Sequence, residues 1–241
     1  MPSLGLGSGL TSQSFPSATP FNNYSLAFDG VDDYVDLGSN VDAGIESAIS
    51  FWYYHLTDDE DYRYILASYT GGDFGFYRRQ GQNKFDIHIG GYGQGAYIDA
   101  TLSNATWYHI VLNRTTAENV ELYIDGTDIG DLGNEAWDST NTVVGLIGRR
   151  QAGGLYAQGK IDELAIWNEK LDAPAITSIY NSGTPTDLTK NTGDYDEWTD
   201  NLIGYWRMEE GSGVDVINTA NVGTNDGTVN SATWDTSVPP N

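Results

Sequence analysis

Apolar residues recur at every second position in several stretches of this chain. Ile49, Phe51 and Tyr53 alternate with Ser50, Trp52 and Tyr54; Phe85, Ile87 and Ile89 with Lys84, Asp86 and His88; Val120, Leu122 and Ile124 with Glu121, Tyr123 and Asp125. Successive side chains of a strand point to opposite faces, so this period of two predicts strands with one buried face. Between them lie Asp29-Gly30, Gly71-Gly72-Asp73, Gly90-Gly91, Asp125-Gly126 and Gly153-Gly154, residue types that accept the left-handed backbone of tight hairpin turns. The pattern predicts an all-β sandwich of antiparallel strands. One stretch departs from it. Asp172 can cap a helix, Pro174 suits its first turn, Ile176, Ile179 and Tyr180 form an apolar stripe, and Gly183 can end it. A polar excursion from Thr184 to Thr199 then leads to a strand near Leu202 to Trp206. The ~40 residues from there onward are too few for a core of their own, so they are expected to complete one domain spanning 24–241. Residues 1–23, rich in Gly, Ser, Thr and Pro without periodicity, read as an extended arm.

Charge narrows the partners. With 34 acidic and 11 basic side chains, 34 − 11 leaves 23 net negative charges, which repel a phosphate backbone and exclude nucleic acid as a natural partner. No apolar run approaches the ~18 residues of a membrane span. Cysteine is absent, so disulfides, thiolate nucleophiles and zinc-thiolate sites are ruled out together, and an oxygen-ligated metal is the remaining inorganic support. The opening residues Met1 to Leu10 carry no basic n-region, so ordinary secretion is not expected.

Candidate chemistry is sparse. Glycoside hydrolysis needs two carboxylates held at close spacing. Glu121 and Asp125 share a face, but Asp125 belongs to a turn; Asp162 and Glu163, like Glu209 and Glu210, are adjacent and expected to point opposite ways. His55, His88 and His109 occur singly, without zinc-site spacing, and no Gly-x-Ser-x-Gly elbow is present. A non-enzymatic protein is expected. Aromatic residues beside glycines, Phe74, Tyr77, Tyr92 and Tyr97, with Arg78 and Arg79 nearby, could stack on a sugar ring or pack within a sheet. The expected ligand-binding set is Tyr77, Arg78, Tyr92 and Tyr97.

Five ordered phrases add a resemblance: Ser25 to Gly38 (SLAFDGVDDYVDLG), Ala48 to Trp52, Trp107 to Val111, Leu122 to Gly126, and Gly159 to Asn168 (GKIDELAIWN). They are similar to the laminin-G-like, concanavalin A-like jelly-roll domains of bacteria and phages, which implies two packed antiparallel sheets with one short helix. The resemblance also implies one structural Ca2+, held by Asp162 together with Asp29 and Gly30; the alternative is acidic turn residues without metal. The segment Leu202 to Gly213, with Asn225 to Val229 and Ala232 to Trp234, resembles what commonly precedes the first phrase, yet here comes last. Either the jelly roll is circularly permuted or a second repeat has been lost. The implied function is a structural, decoration or host-recognition protein on the surface of a marine phage virion, meeting a host-surface glycan. Its arm, through Leu4, Leu6, Leu10 and Phe15, would contact other virion proteins or further copies of itself as a homo-oligomer. An exported bacterial polysaccharide-binding or adhesion module at the cell surface is the alternative, and a glycan hydrolase or lyase is a third.

Overall fold

The computed structural model describes residues 22–57, 62–70, 73–134, 137, 140–196 and 200–240. Leu4, Leu6, Leu10 and Phe15 of the arm and the Gly71-Gly72 turn lie outside the described residues. Strands form two antiparallel sheets. The first runs β10 (Thr127–Gly133), β9 (Asn119–Ile124), β8 (Thr106–Thr116), β3 (Ser47–His55), β12 (Gln158–Trp167), β1 (Ser25–Asp29), β16 (Thr233–Asp235), with β13 (Leu202–Trp206) also on β12. The second runs β14 (Asp215–Val216), β15 (Gly227–Asn230), β2 (Tyr34–Gly44), β11 (Thr142–Ile147), β4 (Tyr62–Ala67), β5 (Phe74–Arg79), β6 (Lys84–Ile89), β7 (Gly95–Asp99). This is the antiparallel sandwich expected from the alternation, in the jelly-roll form that the resemblance implies.

The inward parity is the one read from the sequence. Ile49, Phe51 and Tyr53 of the first sheet and Phe74, Phe76, Phe85, Ile87 and Ile89 of the second share one buried cluster. Phe51 and Phe76 meet edge to face with ring centroids 6.1 Å apart. Each such side chain contributes about 1.5–3 kcal/mol when fully removed from water. The Asp125-Gly126 turn joins β9 to β10 with both residues at positive φ, +51° and +70°, the hairpin geometry that matches strand twist.

Helix α1 (Ala173–Tyr180) starts as expected, with Asp172 Oδ1 accepting from the Ala175 amide at 2.8 Å. Its end differs. The left-handed cap is Asn181 at φ +47° rather than Gly183; asparagine tolerates that region, and a 3-10 turn carries the chain onward. Ala175, Ile176 and Ile179 pack with Leu171, Leu188 and Tyr195 over Ala48, Val111, Ala165 and Trp167, covering the outer face of the first sheet. Trp167 Nε1 donates to the Tyr195 hydroxyl at 3.1 Å, so the described part of the excursion belongs to this cover. Among the described residues no helix covers the outer face of the second sheet.

Strands from the C-terminal segment enter both sheets. β13 pairs with Leu164–Trp167 of β12, β16 pairs with β1, and β15 pairs with β2. Trp206, Met208, Val216 and Val229 are buried in the same cluster as Leu26, Val35 and Ile161. A chain truncated after residue 199 is therefore expected to lose its cooperative melt, and Trp206→Ala to cost about 3–5 kcal/mol in urea denaturation. An unchanged melting temperature in the truncated chain would contradict this.

His109 of β8 is 2% exposed, bonded through Nε2 to Ser50 Oγ at 2.7 Å and clustered with Trp52 and Tyr180, whose ring centroids lie 5.1 and 5.9 Å from its own. Burial lowers its pKa from 6.5 to about 3. The unfolded chain thus takes up a proton near pH 6.5 that the folded imidazole refuses, so this residue removes stability as pH falls. Between pH 7 and pH 5 the loss is about 2 kcal/mol. His109→Gln, which retains a partner for Ser50, should lessen the acid-side decline by that amount; an identical pH dependence would show that His109 titrates normally.

Candidate functional site

Strand register places three rows of side chains next to one another on the outer face of the second sheet. The middle row is Tyr64, Tyr77, Asp86 and Tyr97, one from each of β4, β5, β6 and β7. Tyr62, Arg79, Lys84 and Asp99 form the row on one side; Ala67, Gly75, His88 and Gly95 form the row on the other. Gly75 is required by a close approach. A Cβ there would lie 2.3 Å from His88 Cε1 and 2.8 Å from Tyr64 Cε1, so its absence lets the imidazole lie across β5.

The rings form a connected surface. Tyr64 and Tyr77 stack at 4.5 Å and 13°, and Tyr92 meets His88 at 5.0 Å. Tyr92 and Tyr97 are 52% and 56% exposed, so their faces are available to a ligand. Arg79 pairs with Asp86 and lies 5.4 Å from the Tyr62 ring and 5.6 Å from the Tyr97 ring. Lys84 Nζ sits 3.8 Å from the Tyr97 centroid. Burial raises the Asp86 carboxyl against the opposing pull of Arg79, and Asp86 Oδ2 has no hydrogen-bond partner among the described residues. Burial lowers His88 to about 4, keeping it neutral near pH 7, and its Nε2 has no hydrogen-bond partner among the described residues. Tyr64 and Tyr77 are pushed up by burial, so both phenols stay protonated. Two grooves flank Tyr62, one of about 220 Å³ lined by Arg79, Gly81 and Gln82, the other of about 260 Å³ lined by Gly30, Val31, Arg63, Leu155 and Tyr156. Flat rings beside a few fixed polar groups can take a ligand with both apolar C–H faces and hydroxyl groups.

Of the expected ligand-binding residues, Tyr77, Tyr92 and Tyr97 belong to this surface and Arg78 does not. Arg78 has the parity of Phe74 and Phe76. It is fully buried, donates to the Ala100 carbonyl at 2.6 Å and lies 4.9 Å from the Phe85 ring, on the core side. Phe74 is likewise internal.

The expected metal residues are not brought together. Asp29 pairs with Gln158 on β12, so Asp162 lies four residues further along, ~13 Å of strand. The Gly30 carbonyl accepts from Arg63 Nη1 at 3.0 Å, which puts a guanidinium where a cation was expected. Asp29 instead gathers with Asp32 and Asp33, and Asp162 with Glu163 and Glu209. Asp162 and Glu163 do not point opposite ways, because a bulge interrupts β12 between Asp162 and Ala165 and Glu163 adopts φ +50°. Their carboxylates and that of Glu209 lie within 4.8 Å of one another.

Asp162 and Glu163 are 0% and 3% exposed, so a saccharide cannot reach them as a catalytic pair. Burial and the neighbouring Glu163 raise Asp162; burial raises Glu163, opposed by Arg207 and by the Tyr205 hydroxyl that donates to it. Every oxygen of the three carboxylates accepts a hydrogen bond, from Glu163 N, Asn22, Tyr205, Arg207, Asn23 or Tyr24. Three carboxylates against one guanidinium leave a charge and a hard-oxygen donor set that fit a divalent ion.

Sequence reading alone missed Tyr64, Asp86 and His88, and noted Arg79 only as a neighbour of the aromatic residues. Their signal was the alternation itself, since Phe85, Ile87 and Ile89 inward require Asp86 and His88 outward.

The model of the Laminin_G_3 family, described as the concanavalin A-like lectin/glucanases superfamily, matches residues 29–177. A search of curated proteins finds no match. Among solved structures, a candidate carbohydrate-binding protein from Bacteroides ovatus superposes with a TM-score of 0.64 at 15% identity. That match covers 90% of this chain and 61% of the other, so the chain spans less than two thirds of that relative. A heptameric SAP-like pentraxin from Limulus polyphemus superposes at 0.56 with 12% identity, covering 80% of this chain and 94% of the other. At such identities these structures speak to the fold. With more than half of its residues matched by the family model, the chain belongs to the Laminin_G_3 family of concanavalin A-like lectin/glucanases.

Proposed function

We propose that this chain is a glycan-binding module, not an enzyme, and that it binds through the outer face of its second sheet. The observation that carries the reading is the row Tyr64, Tyr77, Asp86 and Tyr97, set on a face that no described helix covers. Pyranose rings present C–H faces that stack on exposed tyrosines, while Arg79 and Lys84, whose side chains stay partly in solvent, offer donors to hydroxyl groups. The inaccessibility of Asp162 and Glu163 favours binding over hydrolysis.

The carrier we infer is a phage virion displaying this lectin-like domain at its surface. Residues 1–23 would attach it to other virion proteins or to further copies. Support comes from the resemblance, the absence of cysteine and the acidic surface, which keeps crowded copies apart. Circular permutation is our reading of the C-terminal strands: β13, β15 and β16 lie beyond the family match at 29–177 yet pair with β12, β2 and β1 inside it. We also propose that Asp162, Glu163 and Glu209 hold a structural calcium ion, supported by their oxygen donors and charge.

Two measurements test these readings. Tyr92→Ala and Tyr97→Ala should each weaken binding by about tenfold in a glycan screen followed by calorimetry, with stability changed by no more than about 0.5 kcal/mol because both residues are exposed. Unchanged affinity in both variants, or binding to no glycan, would overturn the site. For calcium, a native-state ligand raises the melting temperature, so chelation should lower it and the shift should vanish in Glu209→Gln and Asp162→Ala. Identical melts with chelator and with excess calcium would remove the ion.

A further inference from the structure

We propose that the ligand of the tyrosine face is a short acidic oligosaccharide whose carboxylate or sulfate group is held by Arg149 and Arg150. This rests on the glycan-binding reading above and specifies its ligand. The argument begins with where the scarce positive charges go. The chain has 34 acidic and 11 basic side chains, so almost any basic group can find a carboxylate. Arg79 pairs with Asp86, Lys84 with Asp99, Lys160 with Asp235, Lys170 with Glu46, Lys190 with Asp187 and Arg207 with Glu163. Arg78 and Arg114 are buried against backbone carbonyls, and Arg63 donates to those of Gly30 and Tyr156. Arg149 and Arg150 differ: among the described residues neither forms an ion pair, although both are only partly buried.

Both stand beside the tyrosine face. The Arg149 guanidinium lies 3.9 Å from the Tyr34 ring centroid, and Tyr34 packs on the same outer-face cluster as Tyr64 and Tyr77. The charge of Arg150 reaches the Tyr64 phenol and favours its ionised form. A guanidinium laid against a ring is held in one orientation and partly stripped of water, and its planar fork matches carboxylate and sulfate oxygens. Among the described residues, the carboxylates on this face are already engaged. Asp86 and Asp99 face Arg79 and Lys84, and Asp36 accepts from the Gly38 amide at 2.9 Å.

Geometry sets the ligand's size. Arg149 lies over Tyr34 of β2 while Tyr97 belongs to β7, five strand spacings or ~24 Å away. A ligand touching both ends is an oligosaccharide. It is also short, because the net charge of −23 repels a long polyanion once it runs off the face, whereas a screening length of about 8 Å at physiological salt shields a short one.

The test compares three probes of equal length, a neutral oligosaccharide, an oligouronate and a sulfated oligosaccharide, by calorimetry at about 50 and about 500 mM salt. At least one acidic probe should bind about tenfold or more tightly than the neutral one. Salt should erode that advantage, and the double variant R149Q/R150Q should abolish it while leaving neutral-probe affinity and melting temperature unchanged. The two acidic arms distinguish carboxylate from sulfate. Equal affinity for neutral and acidic probes, or a preference that survives in the double variant, would overturn this proposal and leave the glycan site standing. Binding of none of the probes by the wild-type chain would overturn the acidic-ligand proposal and count against the glycan-binding reading as well, a distinct result.

Discussion

One edge of β12 serves two partners, and the sandwich is organised around how that edge is divided. β1 takes Gln158–Ile161 and β13 takes Leu164–Trp167. The two residues between them, Asp162 and Glu163, sit in a bulge whose polar groups must be satisfied without a continuous ladder. Asp162 accepts from the Glu163 amide and from Asn22; Tyr205 and Arg207, at the end of β13, turn onto Glu163; Glu209 accepts from the amides of Asn23 and Tyr24. Residues 22–24, at the start of the described chain, and 205–209, in its C-terminal segment, are thereby fastened to one buried point. Breaking one member of such a buried charge network costs more than the pair contributes when whole, because an uncompensated charge is left behind.

The division of labour between the sheets follows from what each outer face meets. The first sheet is roofed by α1 and the segment after it, so Trp52, His109 and Trp167 lie under protein. The second sheet has no such roof among the described residues, and its outer face carries tyrosines, paired charges and a neutral histidine in place of an apolar layer. A face built that way is stable in water while keeping ring surfaces within reach of a ligand. The same asymmetry explains why a chain with so large an acidic excess can still present positive charge locally.

Part of the site was legible from residue type. Tyr77, Tyr92 and Tyr97 stood out as aromatics near glycines, and all three belong to the face. Arg78 was grouped with them by adjacency, but adjacent strand residues point to opposite sides, and its parity with Phe74 and Phe76 sends it into the core. Asp29 and Asp162 were grouped by resemblance, and the antiparallel register of β1 on β12 separates them. Arg149 and Arg150 could not be read at all. Whether a surface arginine has a carboxylate partner depends on residues far away in sequence.

What the sequence by itself determined is local. The period-two alternation set which residues face inward, Asp125-Gly126 set a two-residue hairpin, and Asp172 with Pro174 set the start of the helix, because each depends on backbone geometry within a few residues. Tertiary structure alone decided which strands became neighbours, which outer face was roofed, and where β12 broke its register. It also turned Asp162 and Glu163 to the same side and aligned Tyr64, Tyr77, Asp86 and Tyr97 across four strands. These outcomes balance the burial and hydrogen-bond demands of segments up to about 200 residues apart, a competition that no local pattern records.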